Sequence, residues 1–238
     1  MTEPTAPAPL IVAIDGTSGV GKSTVAGRVA ERLGVPTLDT GATYRAVALE
    51  VLERDTDLED RDAVLAAAAA AELELRPEPD GGGFEVLLAG EPVGQRIRTP
   101  RVTDATSRVS VHPEIRQRLV TVQRRTAERY GAVVEGRDIG SVVFPNTPYK
   151  FFLHARPEVR AARRHAELVA AGEGTELAEV LRDIEARDAR DSGREASPLV
   201  FDASYHAIDT SDLTIAEVVD RMVAEIERRR APERPTEA

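Results

Sequence analysis

Positions 16 to 23 read Gly16-Thr17-Ser18-Gly19-Val20-Gly21-Lys22-Ser23, a glycine, four residues, and then Gly-Lys-Ser. This is the spacing of a loop whose backbone N–H groups turn inward around phosphate oxygens at the start of a helix. In such a loop Lys22 reaches the β and γ phosphates as a compact point charge, and the Ser23 hydroxyl ligates magnesium. Composition singles out the lysine: of 31 basic residues only Lys22 and Lys150 are lysines. A generic positive charge in this chain is an arginine, so a lysine marks a need that a guanidinium does not meet.

Two further groups of residues could handle anions. In "LDTGATYR", residues 38 to 45, Asp39 and Thr40 stand as caps at a helix start, with Tyr44 and Arg45 about a turn later. A hydroxyl, free N–H groups and a guanidinium converge there, although the residues alone fit an ordinary capped helix with a surface arginine equally well. Downstream, eight arginines fall between residues 156 and 194. Arg160, Arg163 and Arg164 share a helical face by spacing, and so do Arg187, Asp191 and Arg194 if the helix persists that far. Taken by themselves they read as a solvated helix laced with Arg–Glu pairs.

The elements that must position these residues alternate between strand and helix. "LIVAID", residues 10 to 15, is a continuous apolar run ending at Gly16, as expected of a strand buried on both faces of a parallel sheet. Residues 23 to 33 carry apolar side chains at helical spacing, and "VPTLD" then precedes the helical "TYRAVALEVLER". An Ala-rich helix next gives way to "LELRPE", a "DGGG" turn and "FEVLLAG", a hairpin signal inside an α/β pattern. "AVVEGRD" and "YKFFLHA" are further short strands, residues 156 to 191 are helical with a break at "AGEGT", "HAIDTSD" is a last strand, and "LTIAEVVDRMVAEIERRR" a final amphipathic helix. Such alternation implies an α/β fold, a parallel sheet flanked by helices with a small antiparallel insertion.

Composition narrows the function. A formal net charge of −10 opposes a general nucleic-acid binder, so positive charge for an anionic partner has to be supplied locally. Without cysteine there are no disulfides or thiolate metal sites, and no apolar run is long enough to cross a bilayer; a cytoplasmic protein is the expectation. No Asn-Lys-x-Asp tetrapeptide is present to read guanine, and helicases and transporters usually carry more domains than this length holds. What remains is a small kinase or an ATP-driven switch. "DTDLEDRD", residues 55 to 62, lacks the glycine of a calcium loop and reads as a solvated turn. The four histidines need no catalytic role, and His154, inside an apolar strand, reads as a core residue.

In this order, "IDGTSGVGKST", "LDTGATYR", "GRDIGSVVFP" and "RDARDSGREASPL" resemble the signature segments of the bacterial cytidylate kinases, over roughly residues 10 to 228. The resemblance implies transfer of the ATP γ-phosphate to CMP or dCMP with magnesium, on a P-loop, adenylate-kinase-like fold. It implies a core (1–38, 131–155 and 195–238), a monophosphate-binding region (39–130, with the β insertion near 72–98) and a helical lid (156–194). The cofactors implied are ATP and Mg2+; the partners are the small molecules CMP and dCMP, with no nucleic acid and no membrane, for a monomer.

Carried over residue by residue, the resemblance puts ATP on Gly16 to Thr24 with Arg163 or Arg164 closing over it. Thr40, Tyr44 and Arg45 would contact CMP, Arg45 chiefly at its phosphate, where Arg137 would join it. Ser107, Arg116 and Asp138 would read the cytosine edge: a carboxylate and a hydroxyl accept from the exocyclic amino group while arginine donates to the ring carbonyl or nitrogen. Arg187 and Asp191 would hold the ribose end and Arg194 the phosphates, with Lys22, Arg137, Arg187 and Arg194 stabilising the transferring group. Glu135 stands where many relatives have Asp, so it is open between holding magnesium through water and being a solvated turn carboxylate. Rival readings are another small P-loop kinase, acting on dephospho-coenzyme A, dTMP or AMP, or a regulatory ATP switch.

Overall fold

A computed structural model describes residues 9–170, 172, 174–193, 197 and 199–230. Five strands, β1 (Ile11–Gly16), β2 (Thr37–Asp39), β6 (Ala132–Glu135), β7 (Tyr149–His154) and β8 (His206–Asp209), form one parallel sheet in the order β2-β6-β1-β7-β8. Three more, β3 (Leu73–Pro77), β4 (Phe84–Leu88) and β5 (Glu91–Pro92), form a separate antiparallel sheet in sequence order. The central strands are continuous apolar runs because both faces are covered: Val12, Ala13, Ile14, Phe151 and Leu153 are fully buried. Asp15 sits opposite Phe152, and Leu153 opposite Ile208, in the parallel β1–β7 and β7–β8 pairs.

The described chain divides into two compact units. One comprises residues 12–34 and 135 onward. Here α1 (Lys22–Leu33) packs on α8 (Ile215–Arg230), whose buried face is Val218, Val219, Met222, Val223 and Ile226. Gly34, in the left-handed region, ends α1 and returns its N–H to the carbonyls of Ala30 and Glu31. In the same unit α6 (Pro157–Ala170) and α7 (Leu177–Ser192) pack through Ala161, Val180 and Ile184, with Leu168 and Leu181 at the margin.

The other unit holds residues 35–134 with the segment before Val12. Its core gathers α2 (Thr40–Glu53), α3 (Arg61–Ala70), α4 (Pro100–Val109), α5 (Pro113–Tyr130) and the inner face of the small sheet around Val47, Val51, Val64, Val86, Val102 and Leu119. Arg118 of α5 donates to the carbonyls of Ala68 and Ala71, closing the C-terminal end of α3.

The strands and helices expected from the pattern are present, the hairpin turning through Gly81 at φ +75°. Beyond them the structure has α4 and α5, in a stretch for which no element is expected above, and two further features carry no pattern signal. The third strand of the small sheet is two residues long, and a single π-helical turn at Ile139–Val143 follows β6 inside "GRDIGSVVFP".

Candidate active site

The loop after β1 owes its path to three glycines. Gly16 lies so close to the neighbouring strand that a Cβ would come within 2.1 Å of the Leu153 carbonyl oxygen, and Gly19 and Gly21 have φ of +73° and +88°. No side chain caps α1, so its first N–H groups are left to an anion. Ser23 and Thr24 are exposed on the first turn, whereas Lys22 is buried and its ammonium donates to the carbonyls of Gly16 (3.0 Å) and Thr17 (2.7 Å).

Burial is the main reason the Lys22 pKa falls to about 7, well below its ordinary value of 10.5. Arg137 and Arg187 push it in the same direction, and Glu135 and Asp15 oppose them. Two guanidinium groups are thus held near an ammonium in a net acidic protein. Arg137 donates from Nε to Asp191 at 2.8 Å, an ion pair drawn from the loop after β6 and the last turn of α7. Arg187, one turn before Asp191, is half-buried on the same helix. Mutual repulsion among cations is relieved when an anion enters between them, which is what such a cluster offers chemically. Glu135 is 6 % exposed. The alternative of a solvated turn carboxylate is therefore set aside.

Asp15 escaped the sequence reading. Its fully buried carboxylate accepts from the backbone N–H of Ile139 (2.8 Å) and Gly140 (2.7 Å) and from the Tyr205 hydroxyl (2.9 Å). Burial raises its pKa to about 6 against the pull of those three hydrogen bonds. Its own burial, and then the same carboxylate, lift the Tyr205 hydroxyl above the usual phenol range. Asp15 thereby fastens the segment carrying Arg137 and Asp138 to the strand that feeds the phosphate loop. Gly140 allows the approach, since a Cβ there would lie 2.8 Å from the Tyr205 hydroxyl oxygen. The available signal was a carboxylate inside an otherwise apolar, doubly covered strand.

The three arginines of α6 have different surroundings despite their shared spacing. Arg160 is buried, Arg163 donates to Thr210 at its hydroxyl (3.2 Å) and carbonyl (2.6 Å), and Arg164 is exposed and pairs with Glu167. Arg194 lies outside the described residues.

In the other unit Asp39 caps α2, accepting from the Ala42 N–H at 3.1 Å and from Arg45 at 2.6 Å. Thr40 and Tyr44 are buried, and the Arg116 guanidinium lies 5.1 Å from the centre of the Tyr44 ring while donating to the Ser110 carbonyl at 3.1 Å. Ser107 is half-buried on α4, one turn before Ser110. Beneath them Gln123 of α5 donates to the Thr43 hydroxyl, which donates to the Thr40 carbonyl, a buried chain that sequence reading also passed over. Arg116 is therefore not a plain helix-surface residue, whereas Ser107 is half-buried on its helix.

A helix-flanked parallel sheet with a glycine-rich loop running into a buried lysine defines a phosphate-loop nucleotide-binding protein. The chain belongs to the cytidylate kinase family, whose sequence model matches residues 12–228. It is 46 % identical over 221 residues to the cytidylate kinase of Rhodococcus opacus, covering 92 % of this chain and 96 % of that protein. It is 48 % identical over 215 residues to that of Corynebacterium efficiens (90 % and 93 %), and 44 % over 217 to that of Caldanaerobacter subterraneus (91 % and 94 %). In fold it is similar to a solved structure of an uncharacterized protein from Eubacterium ventriosum, with TM-score 0.52 at 16 % identity, over 93 % of this chain and 99 % of that one. Among the described residues no helix is long and apolar enough to cross a membrane.

Proposed function

We propose that the protein transfers the γ-phosphoryl group of ATP to CMP and dCMP, yielding CDP and dCDP. The observation that carries the reading is the gathering of Lys22, Arg137 and Arg187 beside the phosphate loop in a chain of the cytidylate kinase family. Phosphoryl transfer through a loose transition state needs positioning and charge stabilisation rather than covalent help. An acceptor phosphate oxygen is already anionic near neutral pH, so no general base is required. ATP lies along residues 16–24 with Arg163 or Arg164 over it, Lys22 leaving the loop carbonyls for the β and γ oxygens. Arg45, Arg137 and Arg194 hold the acceptor phosphate, Arg187 and Asp191 the ribose, and Thr40 and Tyr44 line the acceptor.

Ser107, Arg116 and Asp138 select cytosine. Uracil lacks the amino donor, so the buried Asp138 carboxylate would face its O4 acceptor to acceptor, at about 1–3 kcal/mol, while the Ser107 hydroxyl can rotate to donate. The exposed Ser23 hydroxyl and the buried Glu135 are hard oxygen donors of the kind magnesium takes. Among the described residues no three acidic or histidine side chains cluster as a metal site; a magnesium ion held mainly by nucleotide phosphates needs only one or two protein oxygens. Bound there, it would neutralise phosphate charge. In this reading 1–38, 131–155 and 195–238 act as the core, 39–130 as the acceptor-binding region and 156–194 as a lid that excludes water. The protein works in the cytoplasm, as a monomer, on small-molecule substrates.

An ATP-consumption panel with CMP, dCMP, UMP, AMP, dTMP and dephospho-coenzyme A tests the proposal. Turnover confined to CMP and dCMP is expected; turnover with another acceptor alone would reassign the kinase, and none at all would favour a switch.

A further inference from the structure

Arg160 and Asp188 belong to different helices, α6 and α7, and meet on one residue of the phosphate loop, Ser18, through the peptide before it and the peptide after it. The Ser18 N–H donates to Asp188 Oδ1 at 3.1 Å, and the Ser18 carbonyl accepts from Arg160 Nη1 at 3.0 Å. Arg160 and Asp188 are themselves an ion pair, with side chains only 5 % and 17 % exposed, and Arg160 Nε is held by the Ala155 carbonyl at 3.0 Å. The residue that follows is equally enclosed: a Cβ on Gly19 would sit 3.4 Å from Arg160 Cβ and 3.5 Å from Ile184 Cδ1. Ile184 lies one turn before Asp188, in the small apolar contact that joins the two helices.

We propose that the Arg160–Asp188 pair is a positioning device that fixes the two peptides flanking Ser18, and through the Ser18–Gly19 peptide the direction in which the following N–H groups of the loop face the ATP phosphates. Neither residue needs to touch the nucleotide. The chemistry favours this over a generic buried ion pair, because each charge is spent on one polar group of the same loop residue and both ends of Ser18 are fixed at once. It also links α6 and α7 to the loop they would cover, so that movement of either helix alters the phosphate cradle. The inference rests on residues 16–24 holding ATP phosphates and is independent of which acceptor is used.

The sign of the effect separates positioning from electrostatics. Removing a carboxylate near a polyanion site should tighten ATP binding if charge alone matters, whereas a lost clamp weakens it. The test measures the affinity of ATP by calorimetry, together with KM for ATP and for CMP, in Asp188→Ala, Arg160→Met and the double variant, with thermal melting as a control on the fold. Each single substitution is expected to weaken ATP binding roughly 10-fold with KM for CMP within twofold of wild type, the loss of a charge-assisted hydrogen bond. The double variant is expected to be no worse than the more damaging single one, since the two act on one residue and on each other. Asp188→Asn keeps the volume and an acceptor for Ser18 but breaks the ion pair; it serves if the alanine variant fails to fold, with an expected loss of about threefold. ATP binding unchanged or tighter in folded variants, or losses that multiply in the double variant, would overturn the proposal. A wild-type protein that does not bind ATP would instead overturn the phosphate-loop reading itself.

Discussion

The Lys22 ammonium offers a prediction whose size follows from its surroundings. In the free protein its pKa is held at about 7 by burial and by Arg137 and Arg187, so near neutrality about half of the molecules carry a neutral amine. ATP phosphates favour the charged form and raise that pKa, so binding draws in a proton. If only the charged form binds ATP, the apparent dissociation constant scales as one plus ten raised to the difference between pH and 7, and weakens roughly 50-fold between pH 7 and 9. Calorimetric titration with ATP at both pH values, in two buffers of different ionisation enthalpy, gives affinity and proton uptake together. Uptake near one half at pH 7, rising toward one at pH 8.5, is expected. Stability moves the other way: the folded pKa lies below the unfolded value, so the unfolded chain binds more protons between about pH 7 and 10.5, and the Lys22 contribution to stability rises across that window. Lys22→Arg stays charged throughout and should lose the pH dependence. A flat affinity and zero proton uptake in the wild type would refute the argument.

Two more substitutions probe parts of the site. The Asp15 pKa is raised from 3.8 to about 6, so the folded protein binds the extra proton between those values, and the stability Asp15 contributes at low pH is lost as pH rises through 6. The stability of wild type relative to Asp15→Asn should therefore fall by about 2.4 kcal/mol from pH 4 to pH 7 in urea unfolding; a pH-independent difference would contradict it. Arg116→Met should lower kcat/KM for CMP by at least tenfold, from the loss of a buried charged donor, and shrink the preference over UMP while leaving KM for ATP unchanged. Equal losses for CMP and UMP would put the contact on the O2 carbonyl that both bases carry rather than on N3, and no loss for either would show that Arg116 does not read the base.

Much of the fold is legible in the chain. β1, β6 and β7 are short apolar runs that suit only a doubly covered parallel sheet, and α8 carries an unbroken period of buried Val218, Met222 and Ile226. β5 is too short to show any period, and the π turn at Ile139–Val143 depends on its neighbours rather than on local pattern. The phosphate loop could be located because its chemistry is confined to eight consecutive residues. Asp15, Arg160 and Asp188 could not, because their meaning lies in partners up to 190 positions away. By type and spacing Arg160 resembles Arg164, one turn on; packing alone buries the first and exposes the second. Tyr44 and Arg116 show the same limit, as a ring and a cation brought together from α2 and α5.

The account's central claim is that the phosphate held over residues 16–24 goes to a cytidine monophosphate, and the ratio of kcat/KM for CMP to that for UMP tests it most directly. With the buried Asp138 carboxylate denied its donor by uracil, at about 1–3 kcal/mol, the ratio should be on the order of 10 to 100 in favour of CMP. A ratio near one would contradict the assignment of Ser107, Arg116 and Asp138 to the base.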